Sequence, residues 1–355
     1  RTVEVDPMGH EHVYLFDAYR RLAGELDALG NTTATTYDAS GQVLSATDAN
    51  GGTTEFGYDA RGNLVRVSDR LGHVTTFAYD AEDNLTGITD ALNRTTGLSY
   101  DQHRNLTGIT DAVGQVTTLA YNGRGQLTAA TDARGHTSTA DYDQHGNLSR
   151  LADALGNAGT MIYDIVGRMT GTTSPLGHTT QYSYDNADNL VSVVDPLGYG
   201  TSYQYDGNGL LEEMTDARGN KTLYAYDAEL NLTQVTDALG GATSYDYDDN
   251  GRLIHITDAA GHTTIYERDA LGRLTRITDP LGRARAFDYD GNGNLLARTK
   301  ADGSVIEYEY DANDRLTGVV YPGGSDGSFE YDAVGNTTGS TYGDWQARTS
   351  YDALD

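Results

Sequence analysis

The stretch Tyr58-Asp59-Ala60-Arg61-Gly62-Asn63-Leu64-Val65-Arg66-Val67-Ser68-Asp69-Arg70-Leu71-Gly72-His73-Val74-Thr75-Thr76-Phe77-Ala78, followed at once by Tyr79-Asp80, holds one complete period of the chain. The same slots recur every 21 residues, from Phe16-Asp17 through Tyr37-Asp38 to Tyr331-Asp332, without an insertion. Of these sixteen positions, fourteen are Tyr, with Phe16 and Arg268 the exceptions. The next slot is Asp in fifteen of sixteen, with Asn122 the exception. A fixed period in this range marks an array of supersecondary units. Such an array is one long object in which each unit leans on its neighbours, so 355 residues do not imply two or three globular domains. Residues 1–355 read as a single array of about sixteen units, irregular after about residue 335 and cut from a longer polypeptide.

Each period carries two Asp-x-x-Gly tetrads. With the Tyr slot as zero, Asp stands at +1 and Gly at +4, as in Asp59 and Gly62; a second Asp stands at +11 and a Gly at +14, as in Asp69 and Gly72. Asp suits the first position of a type I turn because its carboxylate accepts a nearby backbone N–H. Gly suits the fourth, where a left-handed residue closes the loop. Asn93, the one substitute for the second Gly, also tolerates that conformation.

Two segments of ordinary strand length remain between the turns. One alternates: the slot two before the Tyr is aromatic in eleven of sixteen units (Phe56, Phe77, Tyr182, Tyr203, Tyr224), placing two aromatic positions on one face. The other carries Leu at +6 in thirteen of sixteen units, with Val or Ile commonly at +9, as in Leu64 and Val67. That spacing breaks strict alternation and implies either partial cover on both faces or a β-bulge. The expected fold is therefore all-β: 21-residue repeats of about two antiparallel strands each, joined in one continuous meander of roughly 33 strands. Laid flat it would be ~160 Å wide. Open sheets of more than ~10 strands curl, so the meander should coil into a spiral shell or barrel.

Composition narrows function chiefly by exclusion. The net charge of −28 comes mostly from aspartates in the two turn slots, and only Lys221 and Lys300 are lysines. That balance argues against nucleic acid, whose phosphates need dense Lys and Arg. No cysteine is present, so thiolate chemistry is excluded. No apolar run approaches the ~20 residues of a membrane-spanning helix. Calcium-binding β-roll repeats have a nine-residue period that is not seen here, so turn-capping is the reading of the repeated aspartates and no metal is assigned. His10, His73, His136, His178 and His262 follow turn glycines in scattered units and read as flanking residues, not ligands. Gly-x-Gly strings such as Gly207/Gly209 fall in turn slots with no helix behind them to hold a phosphate. No catalytic or cofactor-binding residues and no cofactor are assigned. An aromatic column facing solvent could stack on a glycan; buried, it would stack on its cross-strand neighbours.

The motif Tyr-Asp-x-x-Gly-x-Leu of Tyr58, Asp59, Gly62 and Leu64, joined to the second Asp-x-x-Gly of Asp69 and Gly72, resembles the YD repeats of RHS proteins. Further copies open at Tyr184-Asp185, Tyr205-Asp206, Tyr226-Asp227 and Tyr247-Asp248, and the resemblance covers essentially the whole chain. It implies a hollow β-shell in a secreted or cell-surface protein. In that family such shells enclose a toxic C-terminal domain, as in polymorphic toxins and the cocoon of Tc toxins, while related repeats form the barrel of teneurins. The implied role is a non-enzymatic scaffold whose partner is a C-terminal toxin or effector domain of the same polypeptide. The alternative is a surface adhesin that binds glycans or a neighbouring cell. Toxin-bearing relatives end the shell with an Asp-Pro-x-Gly segment involved in self-cleavage. The copies here (Asp6-Pro7, Asp195-Pro196, Asp279-Pro280) occupy ordinary turn slots, so no protease residues carry over.

Overall fold

A computed structural model describes residues 1–352; Ala353, Leu354 and Asp355 lie outside the described residues. It contains 34 strands and, among the described residues, no helix. Every strand pairs antiparallel with the strand before it and the strand after it, from β1 (Thr2–Val5) to β34 (Trp345–Arg348), in one meander. Strands of six and five residues alternate, as in β6 (Thr53–Tyr58), β7 (Leu64–Ser68) and β8 (Val74–Tyr79).

Both tetrads close the same turn. In the first, the Gly62 N–H donates to the Asp59 carbonyl and the Asp59 N–H donates to Asn63; in the second, Gly72 and His73 play the same parts toward Asp69. This is a type I turn with a left-handed residue completing the hairpin. The left-handed position is obligatory: where Gly is missing, Arg20, Asp83, Asn93, Arg104, Asp188, Leu230 and Asp314 all adopt positive φ, between 59° and 69°. The motif therefore dictates the backbone even where a side chain resists it.

The +6/+9 spacing resolves as a bulge. Phe56 opposes Val67 and Gly57 opposes Arg66, but Tyr58 opposes Leu64, leaving Val65 as an extra residue. The same shift recurs in the other Tyr-Asp hairpins, for example Gln204/Tyr205 and Ala225/Tyr226. It returns Leu64 and Val67 to the face that carries Phe56 and Tyr58, so all four apolar slots share one side of the sheet. Hairpins built on the second turn keep an unshifted three-pair ladder, as in Arg66↔Thr76, Val67↔Thr75 and Ser68↔Val74. After Tyr331 the meander still pairs, but β33 (Thr337–Tyr342) and β34 join through a tight turn at Gly343 and Asp344 that ignores the repeat.

The ribbon coils onto itself. Asn50 bonds Asp290 and Asn292, Asn250 bonds Asp6, and Asn313 bonds Asp69, pairs that lie 240 to 244 residues apart. One winding thus takes about eleven and a half repeats, or about 23 strands, a ring on the order of 35 Å across at ~4.8 Å per strand. The sheet does not close by strand pairing; turns of one winding rest on turns of the next. The wall is one layer thick. Its accessible surface is 21017 Å², against roughly 14,000 Å² for a compact monomer of this mass. Among the described residues the buried positions are Val13, Ser68, Ala152, Ile306 and Val319 and seven strand glycines, which bring no side chain to a core. Stability must come from neighbour contacts repeated along the ribbon, not from a central core.

Candidate functional site

The repeat positions form two rims, because successive turns fall on opposite edges of the ribbon. Asp59, Asp185, Asp206 and Asp227 lie with Gly62 on the Tyr-Asp rim, and Asp69 and Gly72 lie on the opposite rim. Tyr58, Tyr184, Tyr205 and Tyr226 end the strands that run into the first rim, and Leu64 begins the strand that leaves it.

Each turn aspartate is a small hub. One Asp59 oxygen accepts the backbone N–H groups of Arg61 and Asn63 (both 2.9 Å), and the other accepts the Asn63 side chain at 3.2 Å. Asn189 and Asn231 serve Asp185 and Asp227 in the same way. The N–H groups of Asn208 and Leu210 serve Asp206. These bonds hold the carboxyl groups below their ordinary range: the Asn63 backbone N–H leads for Asp59, and the Asn side chains lead for Asp185 and Asp227. Four of the flanking histidines are also tied down. His10, His73, His136 and His262 place Nδ1 2.9 to 3.0 Å from the carboxylate of their own turn, while His178 reaches only Ser174, through its backbone N–H.

The Tyr hydroxyls have a role that the sequence did not disclose. The ladder between each five-residue strand and the following six-residue strand ends before it reaches the Leu slot. In that gap the Tyr184 hydroxyl donates to the Met169 carbonyl, Tyr205 to Leu190 and Tyr226 to Leu211, at 2.9, 2.9 and 3.0 Å. The reach is always 15 residues back. It gives a partner to a backbone carbonyl that the ladder leaves without one. A recurrent Tyr exactly where Phe would pack as well is the signal that could have revealed it. Where Arg follows a Tyr-Asp turn and the next unit keeps its Tyr, a second tie appears: Arg21, Arg168, Arg273 and Arg315 lie 4.5 to 5.1 Å over the Tyr ring of the next unit. At Arg268 the Tyr strap is lost, and the side chain instead donates to the Gly272 carbonyl at 3.2 Å.

The seam between windings joins the two rims. Asn250 donates to Asp6 at 2.7 Å, and Arg70 bridges Asp48 of its own winding and Asp314 of the next, the latter at 2.6 Å. Burial would raise Asp69 and Asp314. The Asn313 side chain and His73 outweigh it at Asp69; Asn292, Asn294 and Arg70 do so at Asp314, and both carboxyl groups are lowered. The cleft beside Arg70 is lined by Asp48, Asn50, Asp290, Asp311 and Asp314. Among the described residues, no group of three or more His, Asp or Glu is placed to hold a metal ion. Among the described residues, no helix is long and apolar enough to cross a membrane.

A single-layer ribbon wound on repeated turns defines a structural wall, a repeat scaffold. The RHS repeat family model matches twelve times between residues 16 and 326 (16–53, 37–74, 58–95, 79–116, 100–137, 142–179, 163–199, 184–221, 205–242, 226–262, 247–284 and 289–326), and the chain belongs to that family. Each match starts at a Tyr slot, and none starts at Tyr121 or Arg268, the units where Asn122 and Arg268 break the Tyr-Asp pair. Nothing among the curated proteins matches. Among solved structures, the TcdB2-TccC3 complex without its hypervariable C-terminal region is similar over 98% of this chain, at 16% identity and TM-score 0.75. TcdB2-TccC3 with that region is similar over 94%, at 14% identity and TM-score 0.73. The Photorhabdus luminescens Tc holotoxin pore is similar over 93%, at 14% identity and TM-score 0.59. The chain spans 23% of the length of the two TcdB2-TccC3 structures, so the likeness is one of fold. The comparisons indicate no catalytic family.

Proposed function

We propose that this chain is a section of the wall of a hollow shell that encapsulates or displays a C-terminal effector domain of the same polypeptide, in a secreted or cell-surface protein. The observation that carries the reading is the coiling of a one-layer ribbon into stacked windings, with contacts 240 to 244 residues apart and almost no buried core. A sheet that spends its stability on neighbour contacts and leaves both faces to solvent suits a container better than a pocket. The likeness in fold to TcdB2-TccC3, a complex solved both with and without a hypervariable C-terminal region, supports an arrangement in which a wall precedes a variable domain.

The test is a protease challenge of the intact parent polypeptide, with the domain downstream of the repeats followed by mass spectrometry. Encapsulation predicts that this domain is cut far more slowly in the parent than when produced alone. Equal cutting rates would reject encapsulation and leave display as the role of the scaffold.

A further inference from the structure

The strands between residues 242 and 320 sort their charges by face. Tyr266, Ile277, Phe287 and Tyr308 lie on the face of the repeat's apolar slots, while the carboxylates of these strands, Asp246, Glu267, Asp288, Glu307 and Glu309, alternate to the other. Arg276 is on that other face too, 3.7 Å from Glu267. Arg66 and Arg150 hold the same slot in earlier units, 3.9 and 3.2 Å from Glu55 and Asp141. Three arginines depart from this rule. Arg268 takes the Tyr slot at the end of β26 (Thr263–Arg268). Arg285, in β28 (Ala284–Tyr289), takes a slot that is Thr in ten of sixteen units, and Arg298, in β29 (Leu295–Thr299), takes the slot of Val67. All three fall on the apolar face, where those strands carry no other charge.

No carboxylate answers them. Among the described residues the guanidinium groups of Arg285 and Arg298 make no hydrogen bond or ion pair, and that of Arg268 makes one bond, to the Gly272 carbonyl. The Nε atoms of Arg268 and Arg298 are buried without an acceptor, while their outer nitrogens are not closed off. A cation held partly out of water with nothing opposite it is costly, and it attracts an anion more strongly than a solvated cation does. The register brings the three together. Tyr266 pairs with Ile277 and Ile277 with Arg285; Phe287 pairs with Arg298 and Arg298 with Ile306. Arg285 is therefore a diagonal neighbour of Arg298, about 7–8 Å away at the backbone. Arg268 stands level with Phe287, three strand spacings or about 14 Å from Arg298.

We propose that Arg268, Arg285 and Arg298 form a binding site for a short polyphosphate, two or more linked phosphate groups, either free or carried by a nucleotide. The guanidinium fork matches phosphate oxygens two at a time. Arg285 and Arg298 are near enough to grip one phosphate together, and the distance to Arg268 calls for a further anionic group on the same ligand. Tyr266 and Phe287 lie on the same face among the arginines and offer rings on which a base could stack. The net charge of −28 argues against nucleic acid along the whole wall, but it does not bear on a local cluster. It opposes nonspecific uptake of anions elsewhere on the chain. The site stands apart from whatever the wall encloses.

Isothermal titration calorimetry of the full chain with tripolyphosphate, ATP and inorganic phosphate tests the proposal. A polyphosphate should bind at a single site, and inorganic phosphate should bind at least about tenfold more weakly. Equal affinity for tripolyphosphate and ATP assigns the site to the phosphate chain alone; much tighter ATP assigns the rings to its base. Arg268→Tyr, Arg285→Thr and Arg298→Val return each slot to the residue that other units carry, so each variant keeps a fold the chain already makes elsewhere. Each single change should weaken binding about tenfold, and the triple variant should abolish it. Arg276→Gln, on the opposite face, should leave binding unchanged. No binding of either polyphosphate, equally tight binding of inorganic phosphate, binding that survives the triple change, or an equal loss in Arg276→Gln would each overturn the proposal.

Discussion

The Tyr-Asp rim and the opposite rim use the same turn, yet the hairpins behind them differ. At Asp206 and at Asp216 the carboxylate accepts the N–H groups two and four residues on, and the fourth residue closes on the carbonyl of the first. Behind Asp206 the ladder slips by one residue between Gln204 and Tyr205; behind Asp216 it runs straight through Glu213↔Leu223, Met214↔Thr222 and Thr215↔Lys221. The turn formula therefore sets the loop and not the strand behind it. A bulge on every second hairpin adds local bend and twist in the same sense each time, and the Tyr strap secures the gap that opens on the far side of the bulged strand. Curvature is thus concentrated on one rim, and the other acts as a plain return.

The largest test of this comparison is acid, which acts on both rims together. Asp59, Asp185 and Asp227 on one side, and Asp132, Asp153 and Asp216 on the other, have carboxyl groups lowered in the fold, led by hydrogen bonds from the residue after the turn. A group whose folded value is depressed contributes stability that is fully present above the unfolded value, about 3.9 for Asp, and is lost as pH falls through the folded value. Urea midpoints followed by circular dichroism should therefore be flat at neutral pH and fall steeply below about pH 4. Relief of repulsion among net charges of −28 works in the opposite sense. A midpoint that rises on acidification would mean that repulsion outweighs the turn bonds.

Next in size is removal of a single hub. Asp206→Ala and Asp216→Ala each strip two backbone donors of their acceptor, and each should lower the urea midpoint at constant slope. If local turn chemistry is all that either aspartate supplies, the two shifts in midpoint should agree. A much larger cost at Asp206 would show that the bulged hairpin depends on its turn in a way that the straight one does not.

What the sequence disclosed follows from how local each feature is. Asp59 with Gly62 and Asp69 with Gly72 state their turns within four residues, and Phe56 with Tyr58 states a strand face within three. The bulge was half legible: Leu64 and Val67 announce a broken alternation but not whether the backbone or the burial gives way. The Tyr205–Leu190 strap joins residues from different hairpins across a ladder that has already ended, so no local pattern reports it. The seam is less legible still. Asn250 meets Asp6 only because one winding takes eleven and a half repeats, a number set by small rotations summed over about 23 strands. Arg70 reaches Asp48 in the neighbouring unit, but it is brought to Asp314 by that sum alone.

The straps offer a sharper probe of the Tyr-Asp rim than the aspartates do. Tyr205 donates to the Leu190 carbonyl, whereas the Tyr58 hydroxyl makes no hydrogen bond among the described residues. Removing only the oxygen separates bonding from packing. Tyr205→Phe should cost about 1 kcal/mol and Tyr58→Phe close to nothing, read as the shift in urea midpoint at constant slope. Equal effects at both positions would show that the hydroxyl is not what secures the gap.

The smallest expected effect concerns the turn that departs furthest from its formula. Leu230 holds the left-handed position of the Asp227 turn at φ 69°, where ten of the sixteen units have Gly, and its side chain is exposed. A branched residue there carries a steric penalty of about 1–2 kcal/mol. Glycine removes that penalty but gives back about 0.5–1 kcal/mol of unfolded-state entropy. Leu230→Gly should therefore stabilise the chain by about 0.5 kcal/mol, a small rise in urea midpoint and an unusual outcome for a change to glycine. Gly209→Leu, the reverse change at the same slot one unit earlier, should destabilise, because φ there is 82°, an angle that strains any residue with a Cβ, although the added atom would meet only Asn189 Oδ1 at 3.7 Å. If both changes destabilise, the Leu230 side chain contributes packing that outweighs its backbone strain, and the left-handed slot is not the independent element that the rest of the rim makes it.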